Sequence, residues 1–253
     1  MRAISRTRSL AFIAAALVVV SATGAVLMHA APAQSGSLQR PYTTSFRIAD
    51  CTFLSRGDDN PYFILDPGHR LILESVEGKE EVELQITVLG DTQDITLPGI
   101  GVVRTRVVEE REWIDGELAE VSRNFFALCA ETRDVFYFGE DVDFYEGGVI
   151  ANHDGSWRAG VNGALPGLIM PGTFLLGSRY FQEIAPGAAL DRGENLGMDL
   201  RVEVPAGAFG DCVSVFETSA LESSSTSHKT YAPGVGLIVD DSLALVSWTA
   251  VND

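Results

Sequence analysis

The sequence predicts an all-β protein built on a curved antiparallel sheet or half-barrel with a long Gly/Pro-rich loop insert. Three observations lead there. Residues 81–88 alternate strictly, placing Val82, Leu84, Ile86 and Val88 on one face and polar side chains on the other. Further short apolar runs follow, separated by turn signals such as Asp115-Gly116, Ala206-Gly207 and Pro233-Gly234. Beyond the N-terminal apolar segment, no stretch sustains four turns of helical periodicity.

Taken in order, the chain opens with Arg2, Arg6 and Arg8 and an apolar run over residues 10–28, ending in Ala31-Pro32-Ala33. This is the layout of a secretory signal cleaved after Ala33, and the expected location is secreted or periplasmic. The alternative is retention as an anchor, since the run approaches the ~18 to 20 residues that span a bilayer. After cleavage no stable transmembrane segment is expected. Residues 34–45 are polar and aperiodic and read as a flexible leader; residues 46–253 read as a single β domain.

Gly57, Asp58, Asp59, Asn60, Pro61, Pro67 and Gly68 make residues 57–68 a turn-rich stretch before the first strong strand. After residues 81–88, strands are expected within 101–108, 118–128, 135–138, 178–184, 200–204, 213–218 and 237–248, the last interrupted at Asp240 and Asp241. Residues 107–119 could pass for a helix through their glutamates, but Trp113, Ile114 and the Asp115-Gly116 turn fit a hairpin better. Residues 145–177 hold ten glycines and prolines and little strand pattern. A loop of that length is functional or ordered by its own packing, and Trp157, Leu165, Leu168, Ile169 and Met170 point to packing on the sheet.

The expected signal removes three of 18 basic residues and none of the 35 acidic ones, leaving 15 basic against 35 acidic, a charge of −20. Such a surface repels phosphate backbones, which excludes nucleic acid as a partner. Cys51, Cys129 and Cys212 allow one disulfide and one free thiol, with the pairing open. No metal site is expected, because neither the cysteines nor His69, His153 and His228 have ligand spacing. No cofactor motif and no catalytic residue stand out.

Two constellations remain. Glu140, Asp141, Asp143 and Glu146 cluster before the glycine-rich segment; a pair could serve glycoside hydrolysis or bind calcium, and the plain alternative is a solvated acidic edge. Phe125, Phe126, Phe136, Tyr137, Phe138, Tyr180, Phe181 and Tyr231 stand on or beside expected strands. Gathered on one concave face they would line an apolar cavity for a lipid or other apolar small molecule; otherwise they are ordinary core.

The segments CTFL at Cys51, DNPYF at Asp59, DPGHRL at Asp66, FYFGED at Phe136, GSWRAG at Gly155, PGLIMPG at Pro166, YFQE at Tyr180 and KTYAPGVGLI at Lys229 resemble, in this order, a family of uncharacterised secreted bacterial proteins. The YAPGVGLI segment is also similar to the last hairpin of periplasmic lipoprotein-carrier-like proteins. That resemblance implies a curved sheet around an apolar cavity and no catalytic residue. The resulting expectation is an exported, non-enzymatic binding or envelope-associated protein, with Glu140, Trp157, Tyr180, Glu183 and Tyr231 facing the ligand. A secreted hydrolase using two of Glu140, Asp141, Asp143 and Glu183 is the first alternative; a structural surface protein without ligand is the second.

Overall fold

The computed structural model describes residues 41–57, 59–75, 80–222 and 224–250. The expected signal and residues 34–40 of the expected leader lie outside these residues. Apart from a 3-10 turn at Ile48–Asp50, the regular structure described is entirely β. The strands are β1 (Phe53–Leu54), β2 (Arg70–Ser75), β3 (Val82–Leu97), β4 (Gly101–Ile114), β5 (Glu117–Cys129), β6 (Val135–Glu146), β7 (Val149–Asn152) and β8 (Trp157–Arg158). They continue as β9 (Leu165–Met170), β10 (Arg179–Phe181), β11 (Glu183–Ile184), β12 (Asp191–Val204), β13 (Gly207–Ser219), β14 (Thr226–Ala232), β15 (Gly236–Asp240) and β16 (Leu243–Thr249).

The main sheet runs β10-β12-β13-β14-β15-β16-β2-β3-β4-β5-β6-β9-β11, and its strand pairs are antiparallel throughout. Its two outermost strands are consecutive in sequence. Residues 179–181 pair with β12, residues 183–184 pair with β9, and the Gln182 N–H donates to Asp191 O at 2.8 Å. One short run therefore bridges both sides of the seam, and the curved sheet expected from sequence is nearly closed into a barrel.

The hairpin expected at Asp115-Gly116 joins β4 to β5. Both residues take positive φ, 52° and 79°, the requirement of a tight turn whose twist matches the strands. Residues 145–177 are not one loop: they form β7, β8 and β9, and β9 enters the barrel beside β6. Pro166 and Gly167 hide that strand in the sequence, yet both have a place in it. Pro166 is the register partner of Glu183, and a Cβ on Gly167 would stand 2.4 Å from the backbone of Gln182. Close approach at the seam demands the glycine.

One end of the barrel is plugged by the turn-rich residues 59–69. Fully buried Asn60 donates through Nδ2 to Arg133 O at 2.9 Å, Met170 O at 3.4 Å and Pro171 O at 3.3 Å. Gly234 N–H donates to Pro61 O, and His69 Nε2 is 2.8 Å from Val235 O. Leu65, Leu73, Met170, Val213, Ile238 and Leu245 are fully buried, and the Phe63 ring packs 4.8 Å from Phe126.

The outer face of β5 and β6 is covered too. Phe53 sets its ring edge-on against Phe136 and Phe138, and Phe46 does the same against Phe136. A disulfide joins Cys51 to Cys129 across 78 residues of chain and fastens this cover to β5. In the chain-entropy picture, closing such a loop stabilises the fold by about 4 kcal/mol. Cys212 is free and buried, where it serves as a small apolar side chain.

Candidate functional site

At the end opposite the plug the lumen opens into a cavity of about 300 Å³. Strand alternation supplies its walls. β5 turns Glu120, Ser122, Asn124 and Phe126 inward at every second position, and β4 does the same with Glu110 and Glu112. Glu140 comes from β6, Glu183 from β11, Asp191 from β12, Glu217 from β13 and Asp240 from β15. The lining thus carries carboxylates from most of its circumference and a single cation, Lys229 on β14.

Glu140 reaches the lumen only because the alternation of β6 is broken. Phe126 pairs with Tyr137 but Asn124 pairs with Glu140, so β6 holds one extra residue between the two pairs. Gly139 sits in that bulge with φ 142°, and a Cβ there would meet Trp157 O at 2.5 Å. Tyr137 and Glu140 consequently face the same cavity although they are three positions apart. The Tyr137 ring stacks on Phe126 with centroids 4.7 Å apart, and its hydroxyl donates to Asn124 Oδ1 at 2.5 Å.

Part of the acidic lining has partners. Lys229 Nζ lies 2.9 Å from Glu217 Oε2 and 3.7 Å from Asp240 Oδ2, and Gln182 Nε2 donates to Glu217 Oε1 at 2.5 Å. Glu183, 3 % exposed, accepts the Asp191 N–H through Oε1. Burial alone would lower the Lys229 pKa, but Asp240 and Glu217 hold it well above the ordinary lysine range.

The wall made by β4, β5 and β6 is different. Glu112 and Glu120 are direct partners across the β4–β5 ladder, where like charges oppose each other. Glu112 Oε1 is fully enclosed and accepts no hydrogen bond from the described residues. Burial, then Asp240 and Glu110, push the Glu112 pKa up to about 7. Burial, then Glu112 and Glu140, push Glu120 up to about 8. Glu140 is pushed up to about 8 by burial, with added repulsion from Glu110 and Asp191, against a lowering influence of the neighbouring Tyr137 and Trp157. Glu110 and Glu183 are raised as well, burial leading in both.

Of the five ligand-facing residues expected from sequence, Glu140 and Glu183 line this cavity. Trp157 is buried behind it, edge-on to Tyr137 at 5.2 Å, and borders a second, outer depression with Arg158, Ala164 and Ala185. Tyr180 lies over Gly193 on β12 and donates its hydroxyl to Asn195 Oδ1 at 2.9 Å. Tyr231 is buried on β14 outside the lining. Asp141 and Asp143 also fall outside it. Asp141 pairs with Arg158, and Asp143 with Arg123 and His153. The cavity is therefore not the purely apolar pocket that the aromatic residues pointed to: Phe126, Tyr137 and aliphatic side chains share its lining about evenly with polar groups, most of them carboxylates.

Glu110, Glu112, Glu120, Glu217, Lys229 and Asp240 were not singled out from sequence. The signal was present at residues 109–112, Glu-Glu-Arg-Glu, which puts charge on both faces of an expected strand. As for metal ligands, three suitable atoms of separate side chains come within 4.8 Å of one another, among the described residues, at Cys51, Cys129 and Glu131. There the two sulfurs are joined as the disulfide.

The sequence matches no family model and no curated protein. Among solved structures, the chain is similar to a "putative lipoprotein" from Parabacteroides distasonis ATCC 8503, at 15 % identity and a TM-score of 0.33. That likeness covers 79 % of this chain and 100 % of the other, and it is too distant to carry a function. Among the described residues no helix is long and apolar enough to cross a membrane.

Proposed function

We propose that the protein is an exported, non-enzymatic binding protein whose barrel lumen holds a small cationic ligand. The observation that carries this reading is the belt of carboxylates around an open cavity containing one lysine. Such an arrangement repels itself, and a bound cation relieves the repulsion. Export is supported by the N-terminal signal pattern, and the Cys51–Cys129 bridge fits an oxidising compartment.

The acidic wall weighs against a lipid-like ligand. An acyl chain in the lumen would strip water from several carboxyl groups without offering a hydrogen bond, at a cost of about 2 kcal/mol or more for each. The geometry also weighs against the hydrolase alternative: of its four carboxyls, Glu140 and Glu183 line the cavity, while Asp141 and Asp143 lie outside it and pair with Arg158, Arg123 and His153.

The test is native mass spectrometry of the protein taken from its exported fraction, together with thermal shift against organic and inorganic cations and fatty acids. Stabilisation by cations beyond that of matched sodium chloride supports the reading. Stabilisation by fatty acid alone, or by nothing, overturns it.

A further inference from the structure

From the geometry of the acidic lumen we infer that its ligand is an organic di- or polyamine rather than a bare metal ion. The inference rests on the proposed cation-binding function and names the ligand class.

The first ground is that the lumen already contains a bound alkylammonium, its own Lys229. The side chain delivers a primary amine between Glu217 and Asp240, at 2.9 and 3.7 Å. This is how a protonated amine is held: a compact charge with three donors, shared by two carboxylates. The opposite wall repeats the acidic half of that arrangement without the amine. Glu112 faces Glu120 across the ladder and Glu140 lines the cavity beside Glu120, while Glu110, nearer Lys229, continues the acidic line between the two walls.

The second ground is spacing. A divalent ion needs several oxygens converging on one point, at about 2.0 to 2.6 Å from the ion. Among the described residues, no three lumenal carboxylates bring oxygens within 4.8 Å of one another. Charges distributed around a wall match a molecule whose own charges are distributed, with ammonium groups separated by short carbon chains.

The third ground is what lies between the acids. Val82, Leu84, Ile169 and the stacked pair of Phe126 and Tyr137 share the lining. Methylene segments can pack on these surfaces, and an ammonium over an aromatic face gains further attraction. A hydrated metal ion would use none of them.

Titration calorimetry of the native protein at about pH 8 and low salt tests the inference with spermidine, 1,5-diaminopentane and calcium chloride as probes. Spermidine is expected to bind at least about tenfold more tightly than calcium, and the double variant Glu112→Gln/Glu120→Gln to weaken it by about tenfold or more. Calcium binding more tightly than either amine overturns the amine assignment and leaves the cation-binding function standing. No binding by any probe overturns both. Spermidine binding untouched in a folded double variant places the amine elsewhere and also overturns the inference. Should that variant fail to fold, the ranking of amine against calcium on the native protein decides.

Discussion

The two ends of the barrel are built from the same strands and solve opposite problems. At the plugged end, residues 59–69 fill the lumen, and the buried polar groups named there are paired, the Arg106 guanidinium among them through the Ser55, Leu89, Gly90 and Asp91 carbonyls. Asn60 alone answers three carbonyls from the turns around it. At the open end the lumen is left unfilled, and its lining is charged with one sign, with Lys229 as its single cation. The plugged end is arranged for stability. The acidic end gives stability up, since opposed glutamates and an enclosed carboxylate oxygen without a donor are unfavourable unless a proton or a ligand intervenes. Departure from the packing logic of the rest of a molecule is a mark of a functional region.

Substitutions should separate the two ends, beginning with the most damaging. Leu65→Ala, in the plug, is expected to cost about 3 to 4 kcal/mol in urea unfolding, because a fully buried leucine leaves a cavity that its neighbours cannot refill. Gly139→Ala is expected to cost about 2 to 3 kcal/mol, since a Cβ meets Trp157 O at 2.5 Å and φ is 142°. The same change should weaken cation binding, because the bulge is what brings Glu140 into the lumen; unchanged affinity in calorimetry would deny Glu140 a role.

Acidity should then act in a direction peculiar to the open end. Glu112, with a pKa of about 7, and Glu120 and Glu140, with values of about 8, hold protons in the folded chain that an unfolded glutamate near 4.5 releases. Between those limits the folded state binds more protons, so stability falls as pH rises. Differential scanning calorimetry of the ligand-free protein should show a melting temperature lower by about 5 °C at about pH 8.5 than at about pH 5.5. The absence of a fall would mean that these carboxyls are ionised throughout. The smallest effect is Glu120→Gln, expected to stabilise by about 1 kcal/mol at high pH and by almost nothing at low pH, when the opposing charges are already neutralised. Equal effects at both pH values would mean that the change acts through packing.

The all-β class, the antiparallel pairing and the hairpin at Asp115-Gly116 were legible because a strand with one wet face prints its period in the sequence. β9 was not legible: Pro166 and Gly167 look like loop residues, and their place in a strand depends on how close Gln182 comes. Glu140 and Glu183 were picked from motif-like segments and do share the lumen. Their reaching it depends on a bulge and on the seam, neither of which the local pattern reveals. The acids of β4 and β5 were missed for a related reason. Polar positions on a strand normally mean solvent, and only closure of the sheet makes that solvent an interior. Tyr180 and Tyr231, chosen as aromatic ligands, answer instead to packing, Tyr180 by filling the space over Gly193.

The seam also bears on how copies of the molecule meet. An open sheet of this width would present two bare edges, each a template onto which another chain could zip its own strand. Here residues 179–184 spend their hydrogen bonds first on one edge and then on the other, and Thr43 lies along β10 in a parallel bridge with Tyr180. At the seam itself little backbone is left to recruit a neighbour, and the exposed edge that remains lies elsewhere, on β7, which pairs with β6 alone. The lumen can therefore stay open at one end while its own closing edges are occupied.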